Sequence, residues 1–189
     1  IAIGSYAGDA LTSGDQNIFI GYNAGTDHTT ANECVFIGHE AGYNATTATG
    51  NTALGFRAIY ENTATGNENT CLGAYAGYRI SSGASNVIVG YDCATLITTG
   101  SNNIMIGVDA GVTGSPGGAI GTGSNNVGFG DENISSCHIQ TDWTVASDQR
   151  DKTDFTALDL GLDFVNDLKP YTFKWDKRIK YVSKENRNT

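Results

Sequence analysis

The stretch Asn17-Ile18-Phe19-Ile20-Gly21-Tyr22-Asn23-Ala24-Gly25 decides how the chain folds, because its pattern keeps returning. An apolar residue followed by glycine recurs at Ile3-Gly4, Ile20-Gly21, Ile37-Gly38, Leu54-Gly55, Leu72-Gly73, Val89-Gly90 and Ile106-Gly107. The intervals between these glycines are 17, 17, 17, 18, 17 and 17 residues. Three residues after each stands Ala7, Ala24, Ala41, Ala58, Ala76, Cys93 or Ala110, and a second glycine follows at Gly8, Gly25, Gly42, Gly77 and Gly111. Four residues before the first glycine come Asn17, Asn51, Asn69, Asn86 and Asn103, with Cys34 as the exception. A shortened or irregular unit, Asn126-Val127-Gly128-Phe129-Gly130, closes the series.

So short a period means that a unit cannot bury a core alone and must stack on its neighbours. Ile18-Phe19-Ile20, Val35-Phe36-Ile37, Val87-Ile88-Val89 and Ile104-Met105-Ile106 are β-branched or aromatic runs of three, which read as one short strand per unit. Seventeen residues with two or three glycines and many threonines cannot make two stable helices. The expected fold is mainly β: a β-roll or β-solenoid of about seven 17-residue coils over residues 1–130. At ~4.8 Å per coil the body is on the order of 35 Å long. Phe19, Phe36, Ile88 and Met105, the middle residues of the triplets, are expected to lie opposite the coil interior. A lone roll then exposes an apolar stripe, which three chains around an axis would cover. A monomeric solenoid with a thick two-layer core is the alternative.

Composition separates this body from the rest. The 189 residues carry 25 Gly, 2 Pro and a net charge of −9. Residues 1–146 hold two basic side chains, Arg57 and Arg79, against twelve acidic ones, a charge of −10 without a single lysine. Residues 147–189 hold nine basic and eight acidic residues. Such a body lacks the clustered Lys and Arg that track phosphates, so nucleic acid is not an expected partner. No run approaches the ~20 apolar residues of a membrane helix, and membrane insertion is not expected either. The chain opens without Met or a signal peptide and reads as a fragment.

The repeats resemble the head repeats of trimeric adhesins and of bacteriophage tail fibres, in which N-x-x-I-G-x-x-A-G units build a trimeric β-roll. The resemblance covers roughly residues 1–130 and speaks to architecture rather than to ligand.

Beyond a connector at 131–146 the character changes at Ser147-Asp148-Gln149-Arg150-Asp151-Lys152. Phe155, Leu158, Leu162, Val165 and Leu168 are spaced as the apolar stripe of a helix of about four turns, which stops before Pro170. Tyr171, Phe173 and Trp175 then alternate with Thr172 and Lys174 as in a half-buried strand. Residues 147–189 are therefore read as a short, incomplete α+β segment, helix then strand. Together with Gly161–Pro170 and Tyr171–Trp175, the Ser147–Lys152 stretch resembles the start of the C-terminal intramolecular chaperone domain of phage tail fibres and spikes, the autocleaving endosialidase type. In that family the domain trimerises, guides folding of the β-structured fibre and cleaves itself off at a serine. The resemblance implies a nucleophile at Ser147, a base at Lys152 and a scissile bond after Ala146. The family's domain continues well beyond its aromatic strand, whereas this sequence ends at Thr189.

That chemistry is sound in itself. A serine hydroxyl needs a neighbouring base, and a lysine serves once desolvation or a nearby cation lowers its pKa. Arg150 can act as that cation, or pair instead with Asp148 or Asp151. The bland alternative is a capping serine and a surface lysine.

Other chemistry finds little support. Cys34, Cys71, Cys93 and Cys137 show no C-x-x-C spacing and read as free thiols, with Cys71 and Cys93 buried. His28, His39 and His138 read as solvated or loop residues, so no metal or other cofactor is expected, and no calcium-loop signature appears. The asparagines form an in-register ladder suited to coil-to-coil hydrogen bonds. Adjacent Asp131 and Glu132 suit a solvated turn better than the paired carboxylates of a glycosidase. Tyr22, Phe56, Tyr75 and Tyr91 suit either sugar stacking or packing between chains.

These readings lead to a structural virion protein: the distal part of a homotrimeric tail fibre that contributes to host attachment, with a folding module and one-time self-cleavage. Its expected partners are two further copies, other tail components and a host cell-surface receptor, glycan or protein. Its expected place is the virion tail after assembly in the host cytoplasm. A bacterial cell-surface trimeric adhesin built from the same parts is the alternative. A conventional serine–lysine protease acting on other proteins is a third and weaker reading.

Overall fold

A computed structural model describes residues 1–60, 64–115 and 117–139. The expected helix and aromatic strand of the C-terminal segment lie outside them, as do Ala146, Ser147, Arg150 and Lys152. Residues Ile1–His138 make one compact unit.

That unit is a parallel β-solenoid. Eight short strands, β1 (Ala2–Ile3), β2 (Ile18–Ile20), β3 (Val35–Ile37), β4 (Thr52–Leu54), β5 (Thr70–Leu72), β6 (Val87–Val89), β7 (Ile104–Ile106) and β8 (Val127–Phe129), form one sheet in chain order. Every neighbouring pair is parallel, and equivalent repeat positions face each other: Phe19 opposite Phe36, Cys71 opposite Ile88, Ile88 opposite Met105. The register reproduces the sequence period. The irregular last unit is a lengthened coil rather than a shortened one, since Ile106 pairs with Phe129, 23 residues on. Its additional residues include a turn in which Ser115 Oγ accepts a hydrogen bond from Gly111 N at 3.1 Å.

The triplets face the other way round from the sequence expectation. Phe19, Phe36, Ala53, Cys71, Ile88 and Met105 are buried, at 1% exposure or less. They fill the interior of the coil with Ala24, Ala41, Ala58, Ile80, Ile97 and Ala110. A cross-section this narrow demands small side chains beside each large one, which is why the alanine slot recurs. The outer residues of each triplet point away from the core. Leu54, Val87, Ile104, Ile106, Val127 and Phe129 are exposed, and Ile18, Ile20, Val35, Ile37, Leu72 and Val89 are half-buried. The apolar stripe therefore exists, but it consists of two largely aliphatic ladders on the sheet's outer face and not of the residues the sequence suggested.

The backbone explains the glycine at the end of each strand. Gly38 has φ +138°, and a Cβ added there would lie 2.5 Å from the carbonyl oxygen of Gly55 in the next coil. Neither the conformation nor the space admits a side chain. The second glycine position is left-handed even where glycine is missing: Ile59 and Ala94 occupy it with φ 50° and 53°. For β-branched Ile59 this is a strained conformation that the neighbouring coils impose.

Candidate functional surfaces

The asparagine ladder is structural. Wherever an asparagine stands one coil back, the backbone N–H at the slot donates to its Oδ1: Cys34 to Asn17 at 2.9 Å, Asn69 to Asn51 at 2.8 Å, Asn86 to Asn69 at 3.1 Å, Asn103 to Asn86 at 3.0 Å and Asn126 to Asn103 at 3.0 Å. The amide Nδ2 groups donate to carbonyls of the following coil, such as Asn51 to Gly66 and Asn86 to Gly100. Buried polar groups are thereby satisfied through most of the stack. Cys34, which stands in this slot, is satisfied through Sγ, which donates to Ala48 O at 3.1 Å.

Cys34, Cys71 and Cys93 are buried and Cys137 is exposed, and all four are free thiols. Burial pushes the Cys71 thiol well up and raises Cys93 to about 11, so neither is a nucleophile near neutral pH.

His28 departs from the expectation of a solvated or loop residue. It is fully buried, with its ring edge-on to Phe19 and Phe36 at 5.1 and 5.5 Å. Nδ1 lies 2.6 Å from the carbonyl oxygen of Ala45 and so carries the proton, while Nε2 has no hydrogen-bond partner among the described residues. Burial holds this imidazole below its ordinary pKa, the hydrogen bond to Ala45 opposing the shift. Its repeat mates Leu11, Ala45, Ile80 and Ile97 are apolar, which was the signal to read from the register.

Among the described residues no cluster of His, Cys, Asp and Glu could hold a metal ion. No helix there is long and apolar enough to cross a membrane. Asp131 accepts hydrogen bonds from Asn133 N at 2.9 Å and Nδ2 at 2.8 Å, which hold its carboxyl below the usual range. It closes a turn.

Among the described residues two repeat-built surfaces stand out. The first is the outer face of the sheet, whose β2–β8 positions are aliphatic or aromatic except Thr52 and Thr70. The second is an aromatic face. Tyr6, Tyr22, His39, Phe56, Tyr75 and Tyr91 form one file with successive ring centroids 5.1–6.2 Å apart. Tyr43, Tyr60 and Tyr78 form a second file, joined to the first by the Tyr75–Tyr78 contact at 5.7 Å. All seven tyrosines of residues 1–146 take part. The Arg57 guanidinium bridges the files, 5.0 Å from the Phe56 ring centroid and 4.8 Å from that of Tyr60, and donates to Glu40 Oε2 at 2.6 Å. Where the second file ends, Thr95 takes the place of a tyrosine. There a cleft of about 540 Å³ is bordered by Tyr75, Tyr78, Arg79, Asp92 and Asp109. Burial, and then the neighbouring Asp109, push the Asp92 carboxyl up from its ordinary value.

Comparison with known proteins adds a single finding. The family model described as the chaperone of endosialidase matches residues 147–188, the segment that begins with Ser147 and contains Lys152. Neither a curated protein nor a solved structure matches the chain. The chain thus joins a parallel β-solenoid to a segment similar to an intramolecular chaperone of the endosialidase type.

Proposed function

We propose that the chain is the distal part of a phage-tail-fibre-like structural protein. Residues 1–130 form a homotrimeric shaft or head, 131–146 a connector, and 147–189 the N-terminal part of a trimerising and folding module. The observation that carries this reading is the chaperone-of-endosialidase match at 147–188, directly downstream of a solenoid with an uncovered apolar sheet face. The apolar face supports the trimer because uncharged sheet surface of this extent is normally covered. The same match favours a fibre over a bacterial surface adhesin. Host attachment and a place on the virion tail follow from that assignment.

In this reading the module cuts the chain once. Ser147 Oγ attacks the carbonyl carbon of Ala146 while Lys152 takes the hydroxyl proton. The peptide C–N bond breaks as Lys152 returns that proton to the Ser147 amine, leaving an ester. Water then hydrolyses the ester, giving the Ala146 carboxylate and a chain that begins at Ser147. Because the chain is its own substrate, no turnover is expected.

Mass spectrometry of the full-length protein that carries this chain, beside its Ser147→Ala variant, tests the proposal. A C-terminal piece beginning at Ser147, released only from the unsubstituted protein, is the expected result. Two uncut chains, differing in mass only by the one oxygen that the substitution removes, would refute self-cleavage if both proteins are trimeric.

A further inference from the structure

We propose that the cleft at the end of the tyrosine files binds a glycan that carries no acidic groups. This deepens the attachment reading and rests on it. A pyranose presents a face of C–H groups and a rim of hydroxyls. The cleft offers the complement of both. Tyr75 and Tyr78 supply adjoining ring surface at the wall, and the exposed ring of Tyr91 packs edge-on against Tyr75 beside it. Asp92 and Asp109 supply carboxylate oxygens that accept from sugar hydroxyls, and Thr95 replaces the tyrosine that would otherwise fill the space. Aromatic rings give large contact area at small entropic cost, while charge-assisted hydrogen bonds to carboxylates fix orientation.

Charge decides which glycan. Residues 1–146 carry twelve acidic and two basic side chains, and one of those two, Arg57, is already engaged by Glu40. Two carboxylates and one guanidinium, that of Arg79, border the cleft itself, so its lining is net negative. A sialic acid or other acidic sugar would meet a net negative lining on a strongly acidic body, whereas neutral hexoses and N-acetylated amino sugars would meet no such repulsion. The cleft also differs in kind from the surface suited to a second copy of the chain. Its residues belong to the bends after the strands and mix rings with charge, whereas the outer sheet face is largely aliphatic and uncharged.

Titration calorimetry on the purified chain tests this with three probes: tetramers of N-acetylglucosamine, of glucose and of sialic acid. The expected result is saturable binding of at least one non-acidic tetramer and none of the sialic acid tetramer. Affinity should be about tenfold weaker in Tyr75→Ala and in Asp92→Asn, at unchanged particle mass and thermal midpoint. No saturable binding of either non-acidic tetramer overturns the proposal, as does equal or tighter binding of the sialic acid tetramer. Unchanged affinity in Asp92→Asn overturns it even where Tyr75→Ala fails to fold. A fall in particle mass in folded Tyr75→Ala would assign the rings to contacts between copies and would overturn it too. None of these outcomes bears on cleavage at Ser147, which mass spectrometry reads separately.

Discussion

Asn86 Nδ2 lies 2.9 Å from Asn69 Oδ1, and the same oxygen accepts the Asn86 backbone N–H at 3.1 Å. One side chain thus holds the next coil at two points, and Asn86 Oδ1 repeats the arrangement toward Asn103 at 3.0 Å. Replacing Asn86 by alanine strands the buried Asn103 N–H and the Gly100 carbonyl, both of which lose their partner. Leaving buried polar groups unpaired costs about 1–3 kcal/mol each, so Asn86→Ala is expected to destabilise the solenoid by roughly 3 kcal/mol. Urea unfolding followed by circular dichroism checks this, and an effect under about 0.5 kcal/mol, as at an ordinary surface site, would mean that the ladder is dispensable.

His28 makes stability depend on pH in one direction. Its folded-state pKa lies below the unfolded value of about 6.5 because burial disfavours the imidazolium. Above that value both states are neutral and no linkage exists. As pH falls below it the unfolded chain takes up a proton that the folded chain refuses, so stability declines down to the lowered pKa. His28→Leu, which matches the apolar residues in the same register, is expected to flatten this part of the pH profile. Thermal melts between pH 7 and pH 5 read the slope, and an unchanged slope in the variant would move its origin to the carboxylates.

Thiol accessibility should separate the four cysteines. Cys137 is exposed, whereas Cys34, Cys71 and Cys93 are buried and their thiols are shifted upward by burial. An aromatic disulfide reagent at pH 8 is expected to label Cys137 promptly and the other three only on unfolding. Prompt labelling of Cys71 in the native protein would contradict the packing of the coil interior.

The outer sheet face can be tested without touching the core. Val89 and Ile106 are paired across β6 and β7 and point away from the interior. Val89→Asp with Ile106→Asp should leave the far-ultraviolet spectrum in place and reduce the particle to a single chain. A charge introduced into an apolar interface without a partner costs several kcal/mol per copy. An unaltered assembly would place the contacts between copies elsewhere.

Much of this fold was legible in the spelling of the repeat. The interval of 17 residues gave the coil, the β-branched triplets gave the strands, and Ile20-Gly21 with its equivalents marked where the backbones approach. The facing of the triplets was not legible from Ile18-Phe19-Ile20, because three apolar residues in a row carry no contrast between the two sides. The contrast lay in other coils. The middle position accepts Ala53, Cys71 and Gly128, as a crowded interior requires, while Thr52 and Thr70 stand at an outer position where a hydroxyl can meet water. His28 was missed for the same reason: read alone it resembles a loop residue, and only its register with Leu11, Ile80 and Ile97 reveals burial. The cleft depended on the Tyr43, Tyr60 and Tyr78 file stopping at Thr95, a vacancy at one repeat position that single residues do not disclose. Ser147 and Lys152 rest on the motif and the family match, not on a geometry.

The trimer is the premise on which shaft, chaperone and attachment all depend, and light scattering coupled to size exclusion measures it directly. The purified uncleaved chain is expected to run as a particle of three times 19.8 kDa, independent of concentration across the micromolar range. A particle of 19.8 kDa with an intact β spectrum would contradict it.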